Sequence, residues 1–467
     1  LAGLWVFYVA DVESLPAKRW LHPLSAIAKW SMLDVFVVAV VVLALEGSLL
    51  TATSLGLGIA LFAAAVVLSG WAYGRLARLA LQVTMQEQMH DLVLKGGRVV
   101  DPAQNIDRVT DVAFADGKVA AIGDGLQGRS VRDCSGKIVT PGLIDLHTHV
   151  YAGHSSIGIE PDPYALATAC TTLVDAGTAG PANFDGYRRH IVEPADVNIV
   201  SYINISFAGI FAFSKTVMVG ECEDFRLLHS ESCLEAIGRH RDIICGVKVR
   251  IGMTASGGRG AAPLDIALEV ADAAGLPVMC HLDYPPPSRK ETLARLRKGD
   301  VLTHCFRPFP GAPAHYDGRV REEVLDARER GVIFDVGHGG GSFGWKTAED
   351  MLANDFKPDC ISSDVHSLSI EGPAFDQLVT MSKFLRLGMS DVEVIKASTV
   401  GPANAISRPE LGSLVVGTPG DASVLSVEDG DFTLRDVKGL ERQAGQHFRA
   451  HGMVMRGAWR STLPPIA

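Results

Sequence analysis

The chain has 467 residues, of which 47% are hydrophobic and 21% are charged. This composition supplies a large core and excludes a disordered chain or a low-complexity fibre, and the length suggests about two to three domains. The formal net charge of −10 argues against nucleic acid as the main partner.

The first segment, residues 1–88, has equal numbers of acidic and basic side chains, so the whole negative charge belongs to residues 89–467. No charged residue occurs between Gly47 and Gly74, and this stretch is long enough to cross a bilayer as a helix. Basic residues flank the apolar region on both sides. We predict a transmembrane helical hairpin, with helices over about 32–48 and 50–73. The alternative is a buried helical pair in a soluble domain.

Within this segment, Trp30-Ser-Met-Leu-Asp-Val-Phe-Val-Val-Ala39 resembles the membrane domain of the paraquat-inducible protein A family, over roughly residues 1–75. The resemblance implies an inner-membrane fragment. Because Met89 begins a strand-like run typical of the start of an enzyme, we interpret residues 1–88 as a gene-fusion or gene-model remnant. The catalytic part is then expected in the cytoplasm, attached to the inner membrane if the segment is genuine. Eight cysteines without a CxxC pair fit reduced thiols in that compartment.

A small β-domain is predicted from both ends of the remaining chain. Residues 92–100 alternate as a strand, and further short strands are expected at Val112–Phe114 and Val119–Ile122. Short strands and turns return at 412–425. We therefore predict a small β-sandwich domain formed by residues 89–142 and 396–467.

Between these pieces, residues 143–395 alternate short apolar strands with amphipathic helices. The candidate strands are Thr171–Asp175, Ile199–Ile205, Gly246–Val249, Pro277–His281, Val301–Cys305, Ile333–Val336 and Cys360–Ser363. The candidate helices are Pro263–Ala274, Lys290–Lys298, Arg319–Arg330 and Ala374–Leu387. Repeated strand–helix units predict a parallel sheet, and about 250 residues match a TIM-like (β/α)8 barrel.

Side chains that can bind metal occur at the ends of several of these strands. His147 and His149 are two residues apart on a strand, so both imidazoles point to the same side. His281, His304 and Asp364 end three other strand-like runs. A single histidine of this kind is more commonly an ordinary core or surface residue. The ordered set, at the end of the barrel where such enzymes keep their sites, predicts a metal centre.

Lys248 lies on an alternating apolar strand. A buried lysine without a partner is costly, so it usually forms an ion pair or shifts its pKa. One reading is a surface lysine on an edge strand. The other is a lysine carboxylated by CO2, whose carbamate bridges two metals.

These residues resemble the amidohydrolase superfamily, and HxH, Lys, His, His, Asp is the order of its dihydroorotase-like type. The resemblance to the amidohydrolase/deacetylase subgroup rests on four motifs: Ile144-Asp-Leu-His-Thr-His-Val-Tyr151, Tyr284-Pro-Pro-Pro287, Thr303-His-Cys-Phe306 and Phe334-Asp-Val-Gly-His-Gly339. It implies two divalent metals, usually zinc. His147, His149 and Asp364 would hold the first, His281 and His304 the second, and carboxylated Lys248 would bridge them. Asp283 and Tyr284 depart from the smaller residues expected there, which concerns the substrate pocket.

The implied activity is hydrolysis of an amide or ester, foremost the acetyl group of a small carboxylate-bearing compound. A hydroxide bridging the two metals would attack the carbonyl, and Asp364 would take and return the proton. Tyr151, Arg250 and His338 are weaker candidates for substrate contacts. No partner besides a small-molecule substrate is expected, apart from the membrane through residues 1–88 and a homo-oligomer as one option.

Three alternatives remain open at this point. The first is a cyclic-amide hydrolase or an adenine-type aminohydrolase. The second is a non-catalytic relative that has kept the barrel, although the complete ligand set argues against it. The third is a membrane-transport component, which rests on residues 1–88 alone.

Overall fold

A computed structural model describes residues 89–466 and a series of helical positions at 63–64, 66–72, 74–75 and 77–78. The chain separates into two units, Leu1–Met89 and His90–Ala467. Most of the predicted membrane hairpin lies outside the described residues. Among the positions that are described, no helix combines the length and hydropathy required to cross a bilayer.

The first sheet of the second unit is built from both ends of the chain. Its strands are His90–Asp101 (β1), Ile106–Ala115 (β2), Lys118–Gly123 (β3), Gly128–Asp133 (β4), Ile138–Pro141 (β5), Ala422–Arg435 (β13), Glu441–Met455 (β14) and Ala458–Arg460 (β15). They follow one another in space as β15-β14-β13-β5-β1-β2-β3, and β4 pairs with β1.

The strand pairing joins both ends of the chain into one hydrogen-bonded path, as expected for a β-domain formed by both ends. Strand β1 carries β2 on one side and both β4 and β5 on the other. The sheet surrounds its own apolar cluster, which includes Val99, Phe114, Val139 and Val424.

The second sheet is parallel and runs β6 to β12 in chain order. Its strands are Leu143–Thr148 (β6), Cys170–Ala176 (β7), Asn198–Asn204 (β8), Ile244–Ile251 (β9), Val278–Leu282 (β10), Val301–Leu302 (β11) and Ile333–Phe334 (β12). Residues 360–365 occupy the eighth position, since Cys360 bridges Asp335 and Val365 bridges Thr148. The sheet is thereby closed into the predicted barrel.

The closure is reinforced by a buried carboxylate. Asp145 of β6 accepts hydrogen bonds from the Ser363 backbone N–H (3.0 Å) and the Ser363 hydroxyl (2.5 Å) of the eighth segment. The Tyr164 hydroxyl donates to the same carboxylate at 2.8 Å.

Helices cover the outside of the barrel. Their bounds are Pro161–Thr168, Phe184–Tyr187, Ser230–Arg239, Met253–Ser256, Ala262–Ala274, Arg289–Leu293, Glu322–Glu329, Trp345–Ala353, Gln377–Arg386, Asp391–Ala397 and Val400–Ala405, with shorter helical turns at Arg188–Val192, Phe225–Leu227, Gly257–Arg259 and Pro409–Gly412.

Helix ends follow local chemistry. Ala262–Ala274 begins with a proline in its first turn and ends at Gly275, which adopts φ +63°. Asp391–Ala397 begins with a capping box formed by Ser390 and Glu393. The predicted helices at 290–298 and 319–330 are shorter than expected.

Candidate active site

The six predicted metal ligands meet at the carboxyl end of the barrel. His147 is in β6 and His149 directly follows it, Lys248 is in β9, and His281 is in β10. His304 follows β11, and Asp364 lies in the eighth segment. All six side chains are buried. Because parallel strands end at one edge, residues separated by more than two hundred positions in sequence become neighbours.

Asp364 and Lys248 connect the histidines. Asp364 Oδ1 lies 3.3 Å from the Nε2 atoms of both His147 and His149. Lys248 Nζ lies 3.3 Å from His147 Nε2. The ring centroids of His281 and His304 are 4.5 Å apart, and those of His147 and His304 are 5.2 Å apart. The structure therefore gathers all six side chains into one cluster.

Backbone strain marks two of these positions. His304 has φ +66° and Asp364 has φ +48°. Residues other than glycine rarely adopt this left-handed region, and each such residue costs about 1–3 kcal/mol. Strain of this kind persists where the surrounding structure holds a functional side chain in place.

A second layer of polar groups orients the histidines. His147 Nδ1 lies 2.9 Å from the Thr303 hydroxyl, which donates to Asp335 at 2.7 Å. His149 Nδ1 lies 2.7 Å from the Thr178 hydroxyl, which donates to Asp175 at 2.8 Å. Each hydroxyl gives its only hydrogen to a carboxylate, so each imidazole donates from Nδ1 and keeps the Nε2 lone pair for the cluster.

His304 follows the same rule through the backbone, since its Nδ1 donates to the Gly337 carbonyl at 2.7 Å. The sequence analysis missed these second-layer groups. Asp175 ends the predicted strand at 171–175, and Asp335 lies near the end of the one at 333–336, so the rule that polar residues mark the carboxyl ends of barrel strands indicates both.

Burial shifts the pKa values of the cluster. It lowers the pKa of His149 to about 3 and those of His147, His281 and His304 well below their usual range. These imidazoles are therefore neutral, the form that binds metal. Burial also raises the pKa of Asp364 to about 6 and lowers that of Lys248 to about 8.

The donor set fits divalent metals. His281 Nε2 is fully buried and has no hydrogen-bond partner among the described residues, although a buried polar atom rarely remains unpaired. Ligand atoms of His147, His304 and Asp364 all lie within 4.8 Å of one another. Imidazoles and carboxylates are the ligands typical of zinc.

A small cavity of about 40 Å³ opens beside the cluster. Its lining consists of His147, His149, Ile157, Ile210, Phe213, Lys248, Arg250, His281, His304, Asp364 and His366. Arg250 Nη1 donates to Glu221 at 3.0 Å, and the guanidinium lies 4.9 Å from the Phe213 ring centroid. Arg250 was a predicted substrate contact, and the structure places it at the cavity.

The two other predicted substrate contacts, Tyr151 and His338, do not line this cavity. The Tyr151 hydroxyl donates to the Asn183 carbonyl at 3.1 Å, and its ring packs against Tyr187. His338 is fully buried, and its Nε2 accepts a hydrogen bond from Lys383 Nζ. Asp283, the departure noted in the sequence, accepts hydrogen bonds from the Thr254 backbone N–H, and its Oδ2 lies 3.8 Å from His281 Nε2.

Comparison with known proteins identifies the family to which this chain belongs. The chain is 35% identical over 338 residues to a deacetylase of Agrobacterium fabrum, and the match covers 71% of this chain and 81% of the relative. The chain belongs to the amidohydrolase superfamily. As an amidohydrolase of the deacetylase group it is a metal-dependent hydrolase, as the motif resemblance predicted.

Two solved structures share the amidohydrolase fold. A crystal structure of a dihydroorotase superposes with a TM-score of 0.74 at 32% identity and covers 79% of this chain and 97% of that chain. A crystal structure of an adenine deaminase gives the same TM-score at 29% identity and covers 80% of this chain and all of that chain. The model of a different family, paraquat-inducible protein A, matches residues 1–81 and confirms the resemblance of the N-terminal segment.

Proposed function

We propose that this amidohydrolase is a deacetylase that removes the acetyl group from an amide or ester of a small carboxylate-bearing compound. The observation that carries the proposal is the joining of six ligand-type side chains and Arg250 at one cavity. The relative from Agrobacterium fabrum, named as a deacetylase, supports the acetyl group. We further propose that residues 89–142 and 396–467 form the small domain around the barrel of residues 143–395.

Two zinc ions are proposed as the metals, held by His147, His149 and Asp364 and by His281 and His304. When bound, they supply an activated water and polarise the substrate carbonyl. Lys248 is proposed to be carboxylated by CO2 and to bridge them. Its support is burial without a counter-charge, since no carboxylate lies within 4.0 Å of Lys248 Nζ in the described part of the chain. A carbamate would give this position the negative charge that two cations require.

Asp364 is the proposed proton carrier. Its Oδ1 faces two imidazoles, whereas Oδ2 forms no hydrogen bond with the described residues. Burial raises the pKa of Asp364 to about 6, and a carboxylate at the cavity is a group that can accept and release a proton. We therefore propose that the Asp364 carboxylate takes a proton from water and returns it to the leaving amine or alkoxide.

Arg250 is the proposed partner of the substrate carboxylate. Within the described residues, its hydrogen bonding is limited to the contact of Nη1 with Glu221, so the remaining guanidinium N–H groups have no protein acceptor at the cavity. A guanidinium with a free edge binds a carboxylate through two parallel hydrogen bonds. The apolar wall formed by Ile157, Ile210 and Phe213 would contact the rest of the substrate.

Acetate release tests the proposal directly. The purified full-length chain, supplied with zinc and bicarbonate, is assayed with N-acetyl amino acids of both hands, O-acetyl hydroxy acids, dihydroorotate, hydantoins and adenine. We expect acetate release that a chelator abolishes and that zinc restores. Omitting CO2 and bicarbonate during metal loading should lower the bound zinc if Lys248 is carboxylated.

The panel also decides between the deacetylase and the alternatives. Turnover of cyclic amides or adenine alone would replace the deacetylase with a dihydroorotase-like or adenine-type hydrolase, the activities named in the two solved structures. Two bound metals without turnover of any compound would show that the substrate class is wrong.

A further inference from the structure

A second buried lysine, Lys383, lies on the helix Gln377–Arg386, away from the cavity lining. Its Nζ donates to His338 Nε2 at 2.6 Å and to the carbonyls of Pro373 and Arg435 at 2.8 Å each. The side chain is fully buried, and in the part of the chain that the structure describes it forms no ion pair. Three acceptors match the three hydrogens of an ammonium group, so its surroundings are built for this lysine.

His338 links Lys383 to the loop that follows β12. Since Nε2 accepts from Lys383, the ring proton is on Nδ1, which lies 2.9 Å from the Gly339 carbonyl and donates to it. The ring also stacks on Phe343, with centroids 4.8 Å apart and an interplanar angle of 15°. The His338 side chain therefore fixes one side of the backbone of residues 337–339.

The opposite side of the same backbone touches the metal ligands. The Gly337 carbonyl accepts from His304 Nδ1 at 2.7 Å. A Cβ atom at Gly337 would lie 2.9 Å from His304 Nδ1, and one at Gly339 would lie 3.0 Å from Asp364 Cγ. No space separates the loop from the ligands, so a shift of the loop must move them.

We propose that Lys383 and His338 form a positioning pair that presses the backbone of residues 337–339 against His304 and Asp364 and thereby sets the geometry of the metal centre. This inference depends on the proposed metal centre, and in it neither residue contacts the substrate. It also ties that centre to Arg435, which ends β13 of the other sheet.

Three variants of the full-length protein test the Lys383 donor and the His338 acceptor separately. Lys383→Met removes the donor, and His338→Phe keeps a ring that can stack on Phe343 but cannot accept a hydrogen bond. His338→Gln retains an oxygen that can accept from Lys383. Zinc affinity is measured by competition with a chromogenic chelator, which requires no substrate, and kcat and KM are measured with the best acetyl compound.

We expect Lys383→Met and His338→Phe to weaken zinc affinity by about 10–100-fold, the usual effect of losing an outer-layer partner of a metal ligand. They should lower kcat with little change in KM, because the pair acts on the ligands and not on the substrate. His338→Gln should retain most of the affinity and turnover.

Ser382→Ala is the matched control. Ser382 is buried on the same helix, and its hydroxyl accepts from the Phe448 backbone N–H of β14 at 3.0 Å, so the variant weakens helix packing without touching the 337–339 backbone. It should lower Tm and leave zinc affinity unchanged.

Two results would overturn the proposal. The first is wild-type zinc affinity in both Lys383→Met and His338→Phe. The second is an equal loss in His338→Gln and His338→Phe, which also decides the matter if Lys383→Met does not fold. A wild-type protein that binds zinc but releases no acetate would instead refute the proposed deacetylase activity. The zinc affinities of the variants would still test the proposed positioning pair.

Discussion

Gly339 offers the sharpest test of the site geometry because a side chain added there would meet Asp364. A Cβ added there would stand 3.0 Å from Asp364 Cγ and closer still to Oδ2. Non-bonded carbon atoms normally lie about 3.5–4.0 Å apart, so the contact with Cγ alone requires the carboxylate or the loop to retreat by at least about 0.5–1 Å. Gly339 also has φ +49°, and alanine in this region costs about 1–2 kcal/mol of folding stability.

A displacement of about 1 Å in a catalytic group can lower the rate by about 10²-fold, which corresponds to about 2.7 kcal/mol of activation free energy. We therefore expect Gly339→Ala to lower kcat for acetate release by about that factor, with a reduced Tm. Gly340→Ala is the matched control, because no atom lies within 4 Å of its added Cβ, and it should leave kcat unchanged. If Gly339→Ala released acetate at the wild-type rate, the packing of this loop against Asp364 would not control catalysis.

Three further predictions concern the proposed roles. Asp364→Asn keeps a ligand oxygen but cannot take a proton, so kcat should fall by about 10²–10⁴-fold, and near-normal turnover at equal zinc content would disprove the proton role. Arg250→Gln should raise KM for a carboxylate-bearing acetyl compound by about 10–100-fold, because a hydrogen bond to a charged group contributes about 1.5–3 kcal/mol. A neutral acetyl amide of similar size should be almost unaffected, and equal effects on both compounds would contradict carboxylate binding. Removing zinc with a chelator should lower Tm reversibly, since a ligand that binds the folded state stabilises it, and an unchanged Tm would speak against the metal centre.

The barrel and its ligands were readable from the chain because both depend on local patterns. Short apolar runs alternating with amphipathic helices specify a parallel sheet, and each predicted ligand lies in such a run or shortly after it. The sequence therefore indicates His147, His281, His304 and Asp364 as candidate ligands before it is known how the strands meet. The short pairings of β11 and β12 were not readable, since apolar residues continue beyond the paired positions.

Only the tertiary structure decided which neighbours these residues have. Tyr151 and His338 stand beside ligand motifs in sequence, yet neither lines the cavity, and their polar atoms bond to Asn183 and Lys383 instead. Two contacts join elements that are distant in the chain: that of Thr303 with Asp335 and that of Lys383 with His338. The left-handed backbone at His304 and Asp364 likewise depends on the surrounding fold. Periodicity reports which face a side chain takes within its own element. The partner it meets depends on how those elements close into a barrel, and that is a property of the packed fold.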